Sequence, residues 1–232
     1  MFARVFAAAV VLATTASLAV ERGALAQDVD AQTGEPAGDV SVPGFRSANF
    51  GMDEAAVRAA ITEDFDVEDA EIGKVENAVE RTTALIASVP EVMEGGGAAE
   101  ISYVLGYRTE ALTQVSVLWS AETDPEMDEA QLLANGQVLQ AYFADAGYLP
   151  GSVLLNTPVQ DGLVLFRGRD AEGRMTLLLL LGQTVEAAPA ESEDAASDAE
   201  NPTATFRPEG LLLSYVARPD DPDVFQIEAG KF

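Results

Sequence analysis

Ile101-Ser102-Tyr103-Val104-Leu105-Gly106-Tyr107-Arg108-Thr109-Glu110-Ala111-Leu112-Thr113-Gln114-Val115-Ser116-Val117-Leu118-Trp119 is the stretch whose periodicity decides the fold class. Ile101, Tyr103, Leu105 and Tyr107 alternate with Ser102, Val104 and Gly106, the two-residue period of a strand with one buried face. Arg108 to Ala111 reads as a turn, and Leu112 to Trp119 returns as the partner strand with Val115, Val117 and Trp119 on one face. An antiparallel hairpin follows. Upstream, Gly95-Gly96-Gly97 is a flexible turn and Thr82 to Val89 is extended.

Further upstream the period changes. Asp53 is a good N-cap, Glu54 puts negative charge in the first turn, and Val57, Ala60, Ile61 and Phe65 recur at helical spacing, so a helix is expected over Glu54 to Phe65. Downstream the order repeats. Asp128 and Gln131 fit a capping box, Leu132, Gly136, Leu139 and Phe143 form a helical stripe, and Gly147 can end it in the left-handed conformation, predicting a helix over Asp128 to Ala146. Ser152 to Asn156 opens a strand, Gly162 to Arg169 forms the next, and Asp170-Ala171-Glu172-Gly173 turns into Arg174 to Val185. Leu211 to Ala217 and Val224 to Glu228 complete the sheet. Leu177 to Leu181 and Leu211 to Leu213 are apolar without alternation, as in strands buried on both faces or in a strand that meets another molecule; the second option leaves a homodimer open. The class is α+β, two helices on an antiparallel sheet. Tyr103 to Arg108 can be laid over Leu165 to Asp170, each followed two residues later by a glutamate, which suggests a duplicated helix-plus-three-strand unit with repeats over 43–121 and 126–232; convergent patterning is the alternative.

Two tracts fall outside this pattern. Gln27 to Val42 is polar and aperiodic, a disordered leader, and Pro43-Gly44-Phe45 marks entry to a single folded domain over 43–232. Glu186 to Thr203 holds six carboxylates and no basic residue, so 186–203 is expected to be a mobile acidic loop that interrupts the sheet. Before the leader, Met1 to Ala26 reads as a cleavable secretory signal. Arg4 is the basic region, Val5 to Val20 the apolar core, and Ala24-Leu25-Ala26 the small-x-small site, with cleavage between Ala26 and Gln27. The rivals are a cut after Ser17-Leu18-Ala19 and a membrane anchor, for which Val5 to Val20 is short of the roughly 20 apolar residues needed. The expected address is the bacterial periplasm or the medium, without an anchor in the mature form.

Composition removes function classes. The 232 residues contain no cysteine and no histidine, so thiol catalysis, haem attachment, imidazole acid–base chemistry and cysteine-ligated metals are excluded. With 39 acidic and 13 basic residues the formal charge is −26, a field that repels nucleic acid and anionic lipid surfaces. Once Met1 to Ala26 is removed, arginine outnumbers lysine 9 to 2, compatible with a GC-rich bacterial genome.

Phe50-Gly51-Met52-Asp53-Glu54, followed by Val57 and Ile61, resembles the Gly-Met helix start of small bacterial envelope proteins of the SmpA/BamE-like and beta-lactamase-inhibitor-like type. That resemblance implies helices paired with a short antiparallel sheet and action by protein contact. The longer stretch Phe45 to Trp119 is similar to uncharacterised secreted proteins of alphaproteobacteria, which implies a compartment and no activity.

Candidate site residues each have a structural alternative. Asp64, Asp66, Glu68, Asp69 and Glu71 could hold calcium, but Val67 and Ala70 break the alternation of oxygen ligands and no glycine precedes Gly73, so a solvated acidic turn is expected. Asp220, Asp221 and Asp223 beside Pro219 and Pro222 form a second acidic knot that an ordinary turn explains. Glu76, Glu80 and Arg81 offer a carboxylate pair or plain charge pairing. Tyr103, Tyr107, Trp119, Tyr142, Phe143 and Tyr148 could line a ligand groove or a partner surface, or belong to the core. Phe232 ends the chain as in outer-membrane barrels, yet Gly230, Glu228 and Gln226 would face lipid, which excludes that fold. No catalytic, cofactor or metal motif is legible. The leading expectation is a non-catalytic interaction module that offers a sheet face or edge to an envelope protein. The alternatives are a small-ligand or cation-binding protein and a carboxylate-dependent hydrolase.

Overall fold

The computed structural model describes residues 38–185 and 205–227. The expected signal with its Ala26/Gln27 cut, most of the expected leader, the acidic tract 186–203 and Phe232 lie outside them.

A two-residue ribbon, β1 (Gly44–Phe45) and β2 (Ala48–Asn49), leads into α1 (Glu54–Phe65). The Asp53 side chain accepts from the Ala56 N–H at 2.9 Å, and Asp66 ends the helix in the left-handed region with its N–H on the Thr62 carbonyl. β3 (Gly73–Glu76), β4 (Thr83–Val89), β5 (Ala99–Leu105) and β6 (Leu112–Ser120) follow as an antiparallel meander. Then come α2 (Glu129–Ala144) and a second meander, β7 (Leu154–Val159), β8 (Gly162–Arg169), β9 (Met175–Val185) and β10 (Thr205–Val216). All eight meander strands form one sheet in the order β3-β4-β5-β6-β10-β9-β8-β7. The class is the expected α+β. Among the described residues no helix is long and apolar enough to cross a membrane.

Each half is thus a helix followed by four strands, and the halves meet where β6 pairs with β10, Leu211 opposite Trp119 and Ser214 opposite Ser116. This corrects the expected three-strand unit, because Gly73–Glu76 is a fourth strand. The correspondence between halves equates β5–β6 with β9–β10, so the overlay of Tyr103–Arg108 on Leu165–Asp170 is out by one strand. Two further corrections concern the end of the sheet. β10 starts at Thr205, and no strand forms over Val224–Ile227, because the aspartate before it is drawn into a different contact described below.

Both helices pack on one face. Val57, Ala60 and Ile61 of α1 and Leu132, Leu139 and Phe143 of α2 meet Leu85, Ile101, Tyr103, Val115, Val117, Trp119, Phe166, Leu178, Leu180, Leu211 and Leu213 in one core. An irregularity between Val164 and Phe166 turns Leu165 as well as Phe166 toward α2. The Leu165 carbonyl released by it accepts from Gln140 Nε2 at 2.8 Å. Gly136 lets α2 approach there, since a Cβ on it would stand 2.7 Å from Leu165 Cδ1. The two-sided burial expected of the leucine runs is observed: Leu177, Leu179 and Leu212 form a second apolar cluster with Val164 on the opposite face.

Two extended segments lie across the ends of the sheet. Gly38–Val42, at the end of the expected leader, passes Gly147 and Leu149, with Val42 buried and its N–H donating to Asp170 Oδ2 at 2.9 Å. After β10 the chain crosses to the first half. There Asp223 accepts from the N–H groups of Arg108 and Thr109, both at 3.0 Å, from Arg108 Nε at 3.1 Å and from the Thr109 hydroxyl at 2.7 Å. Arg81, at φ 56°, stacks 3.7 Å above Phe225, which also meets Tyr107 edge-on.

Candidate functional site

The expected acidic sites are taken up by structure. Asp64 accepts from the Ser47 N–H and hydroxyl, Asp69 pairs with Arg58 at 3.1 Å, and Glu68 and Glu71 close a capping box around Asp69–Glu71. Asp220 forms a two-pronged pair with Arg169, and Asp223 is the buried anchor just described. Among the described residues no group of three or more acidic side chains is placed to hold a metal ion. Glu76 is exposed on β3, whereas Glu80 accepts from Asn77 Nδ2 at 3.1 Å and is raised by burial; they do not form a pair over a cleft. Tyr103, Trp119, Phe143 and Tyr148 are core residues, Tyr107 packs on Phe225, and Tyr142 is exposed on α2. None of the six lines a cavity described here.

A cavity lies on the face of the sheet turned away from the helices. It measures about 530 Å³ and draws its lining from β3, β4, β5, β6, β9 and β10. Register builds it in cross-strand rows. Ile86, Ser102, Ser116 and Ser214 stand opposite one another in turn, with the Ser116 and Ser214 hydroxyls 2.9 Å apart and Gln114 Nε2 donating to Ser116 Oγ at 3.0 Å. One step toward one end, Ala84, Val104 and Gln114 form the next row. One step toward the other end, Glu100 faces Leu118 and Leu118 faces Leu212. Beyond them Ser120 faces Gly210, flanked by Glu122 and Glu209. The floor is apolar with a serine band, Glu100 and Glu122 stand near each other toward one end, and Glu209 lies in the lining beside Gly210. No lysine or arginine is among the lining residues.

Glu100 is the informative member. It is half-buried, and no basic group pairs with it among the described residues. Burial, then the nearby Glu122 charge, pushes its carboxyl above its ordinary 4.5. A raised carboxyl makes the folded state bind protons more readily than the unfolded chain, so its charge opposes folding at neutral pH and ceases to do so below 4.5. Glu100→Gln is therefore expected to raise the thermal midpoint at pH 7 and leave it unchanged at pH 4. Melting curves of both proteins at the two pH values check this.

Sequence reasoning missed Glu100, Glu122 and Glu209. The available signal was the second phase of the β5 alternation, Glu100-x-Ser102-x-Val104, whose members share the face opposite Ile101 and Tyr103. No family model matches the chain, and no curated protein and no solved structure matches it either.

Proposed function

We propose that the protein is a non-catalytic binding module acting outside the cytoplasm, with its ligand seated in the groove on the helix-free face of the sheet. The 530 Å³ cavity carries this reading, because its size and its apolar floor with few polar groups are those of small-molecule sites. Of the sheet surfaces a partner could use, this face is better suited than the edges. The β3 edge is four residues long and bears Lys74, engaged at 2.7 Å with Glu54. The β7 edge carries Pro158 and a left-handed Asn156, both of which spoil strand addition.

Ser102→Phe, which fills the middle of the groove, tests the reading. A neutral solvatochromic dye is expected to bind the natural protein and to lose at least about tenfold in affinity for the variant, with the melting temperature little changed. Equal binding by both proteins would remove the groove from consideration.

The extracytoplasmic address rests on Met1–Ala26, and the envelope-protein likeness of Phe50–Glu54 agrees with it. N-terminal sequencing of the exported protein is expected to start at Gln27; an intact Met1 in the cytoplasmic fraction would overturn the address. A contact with a second copy or an envelope protein is favoured by one observation, the pair Val138 and Tyr142 one turn apart on α2, 58% and 68% exposed. A strictly monomeric protein with no cross-linked neighbour in the envelope would end that second reading.

A further inference from the structure

We infer that the ligand of the groove is a small organic cation: an apolar body resting on Ile86, Val104, Leu118 and Leu212, with an ammonium or guanidinium group at the end where Glu100 stands. This deepens the proposed binding role and rests on it.

Three observations carry the assignment. First, the register collects the charges. Glu100 opposes Leu118, Glu122 follows Ser120 closely enough for its charge to act on Glu100, Glu209 adjoins Gly210 opposite Ser120, and no basic side chain is among the lining residues. Second, Glu100 is half-buried beside apolar Leu118 and near a like charge, an arrangement that costs the folded protein and that a cation at this end would turn into a gain. The groove thus selects charge as well as shape. Third, the wider field has the same sign. A chain of formal charge −26 repels anionic amphiphiles and draws cations toward any cleft it lines with carboxylates. The serine band and Gln114 supply polar contacts partway along the floor, so a purely hydrocarbon ligand fits less well than one with a polar atom near its middle.

The test uses three molecules with one body and different heads: 4-phenylbutylamine, 4-phenylbutanol and 4-phenylbutyrate. Each is titrated calorimetrically into the purified protein at pH 7 and low salt, beside calcium chloride alone. The expected result is a preference of about tenfold for the amine over the alcohol, the effect of one charge-assisted hydrogen bond, with the carboxylate weakest. In Glu100→Gln the preference is expected to fall to within about twofold while the alcohol binds as before. Glu122→Gln, at an exposed position where folding is not at stake, is expected to show a smaller loss in the same direction.

Equal binding of amine and alcohol would overturn the cation assignment and leave the groove as a neutral ligand site. A preference for the amine that survives Glu100→Gln would overturn it too, since the charge would then be read elsewhere. Calcium binding that depends on Glu100, without amine binding, would replace the organic cation by a metal ion. Failure of all three organic probes would count against the groove itself and not only against its charge preference.

Discussion

Asp223→Ala is expected to cost about 3 kcal/mol of folding stability, measured as the shift in free energy of unfolding by urea. The side chain of Asp223 is fully buried and takes four hydrogen bonds from Arg108 and Thr109, two of them from backbone N–H groups of the β5–β6 turn. Burial alone would raise its carboxyl. The hydroxyl of Thr109, the two backbone donors and the Arg108 guanidinium outweigh that and hold it well below its ordinary 3.8. The sign for acid follows: the contribution is present above 3.8 and drains away as pH falls through the lower folded value, so the difference between natural protein and variant shrinks in strong acid. Asp220→Ala is the comparison. Its carboxylate is mostly exposed although paired with Arg169, so its loss is expected to change stability far less than the loss of Asp223. Equal effects for the two variants would mean that the segment after β10 merely lies against the sheet.

Phe166→Ala is expected to remove about 3 to 5 kcal/mol. Phe166 is fully buried, with ring centroids 5.5 Å from Phe143 and 5.0 Å from Tyr148, and Phe143 continues the contact to Tyr215. These rings fasten α2 to β8 and β10, and Tyr148 is itself fixed by a 2.7 Å hydrogen bond from its hydroxyl to Thr176. Truncation therefore opens a cavity that the neighbours cannot close without moving the helix. Phe166→Leu, which keeps most of the volume, is expected to cost about 1 to 2 kcal/mol. Ligand affinity well below the melting point should be unchanged in both, because the groove lies on the other side of the sheet; a large affinity loss in Phe166→Leu would show that the two faces are coupled.

Local signals carried far into the fold. Asp53 and the Val57–Ile61 spacing marked α1 with the observed bounds, and the unbroken leucines of Leu177–Leu181 announced burial on two faces, which β9 shows. The misses have physical causes. Gly73-Lys74-Val75-Glu76 lies on an exposed edge and buries nothing fully, so it leaves no alternation to detect. The strand expected from Leu211 starts earlier: the irregularity at Pro208–Gly210 absorbs a proline that cannot donate to the ladder, and β10 extends back to Thr205, paired with Val185. Val224 to Glu228 reads as a strand because Val, Phe and Ile favour one, but burial of Asp223 at the β5–β6 turn sends the chain elsewhere over Val224–Ile227. The groove was least legible. Glu100 and Glu122 approach each other through the β5–β6 pairing and Glu209 joins the lining only through β6–β10, so no local stretch of sequence displays the three together.

The two segments that cross the ends of the sheet exchange partners between halves. Gly38–Val42, which precedes the first helix-and-meander unit, is held at Asp170 in the second; Asp223 and Phe225, which follow the second, are held at Arg108, Thr109 and Glu80 in the first. Each half wears a piece of chain that belongs, by order, to the other. A molecule assembled from two similar halves would ordinarily be free to open at the seam or to trade halves with a neighbour. Here opening at β6–β10 also requires both crossing segments to be released, so the two halves should melt as one cooperative unit, and cutting the chain between β6 and α2 should leave fragments that remain bound to each other.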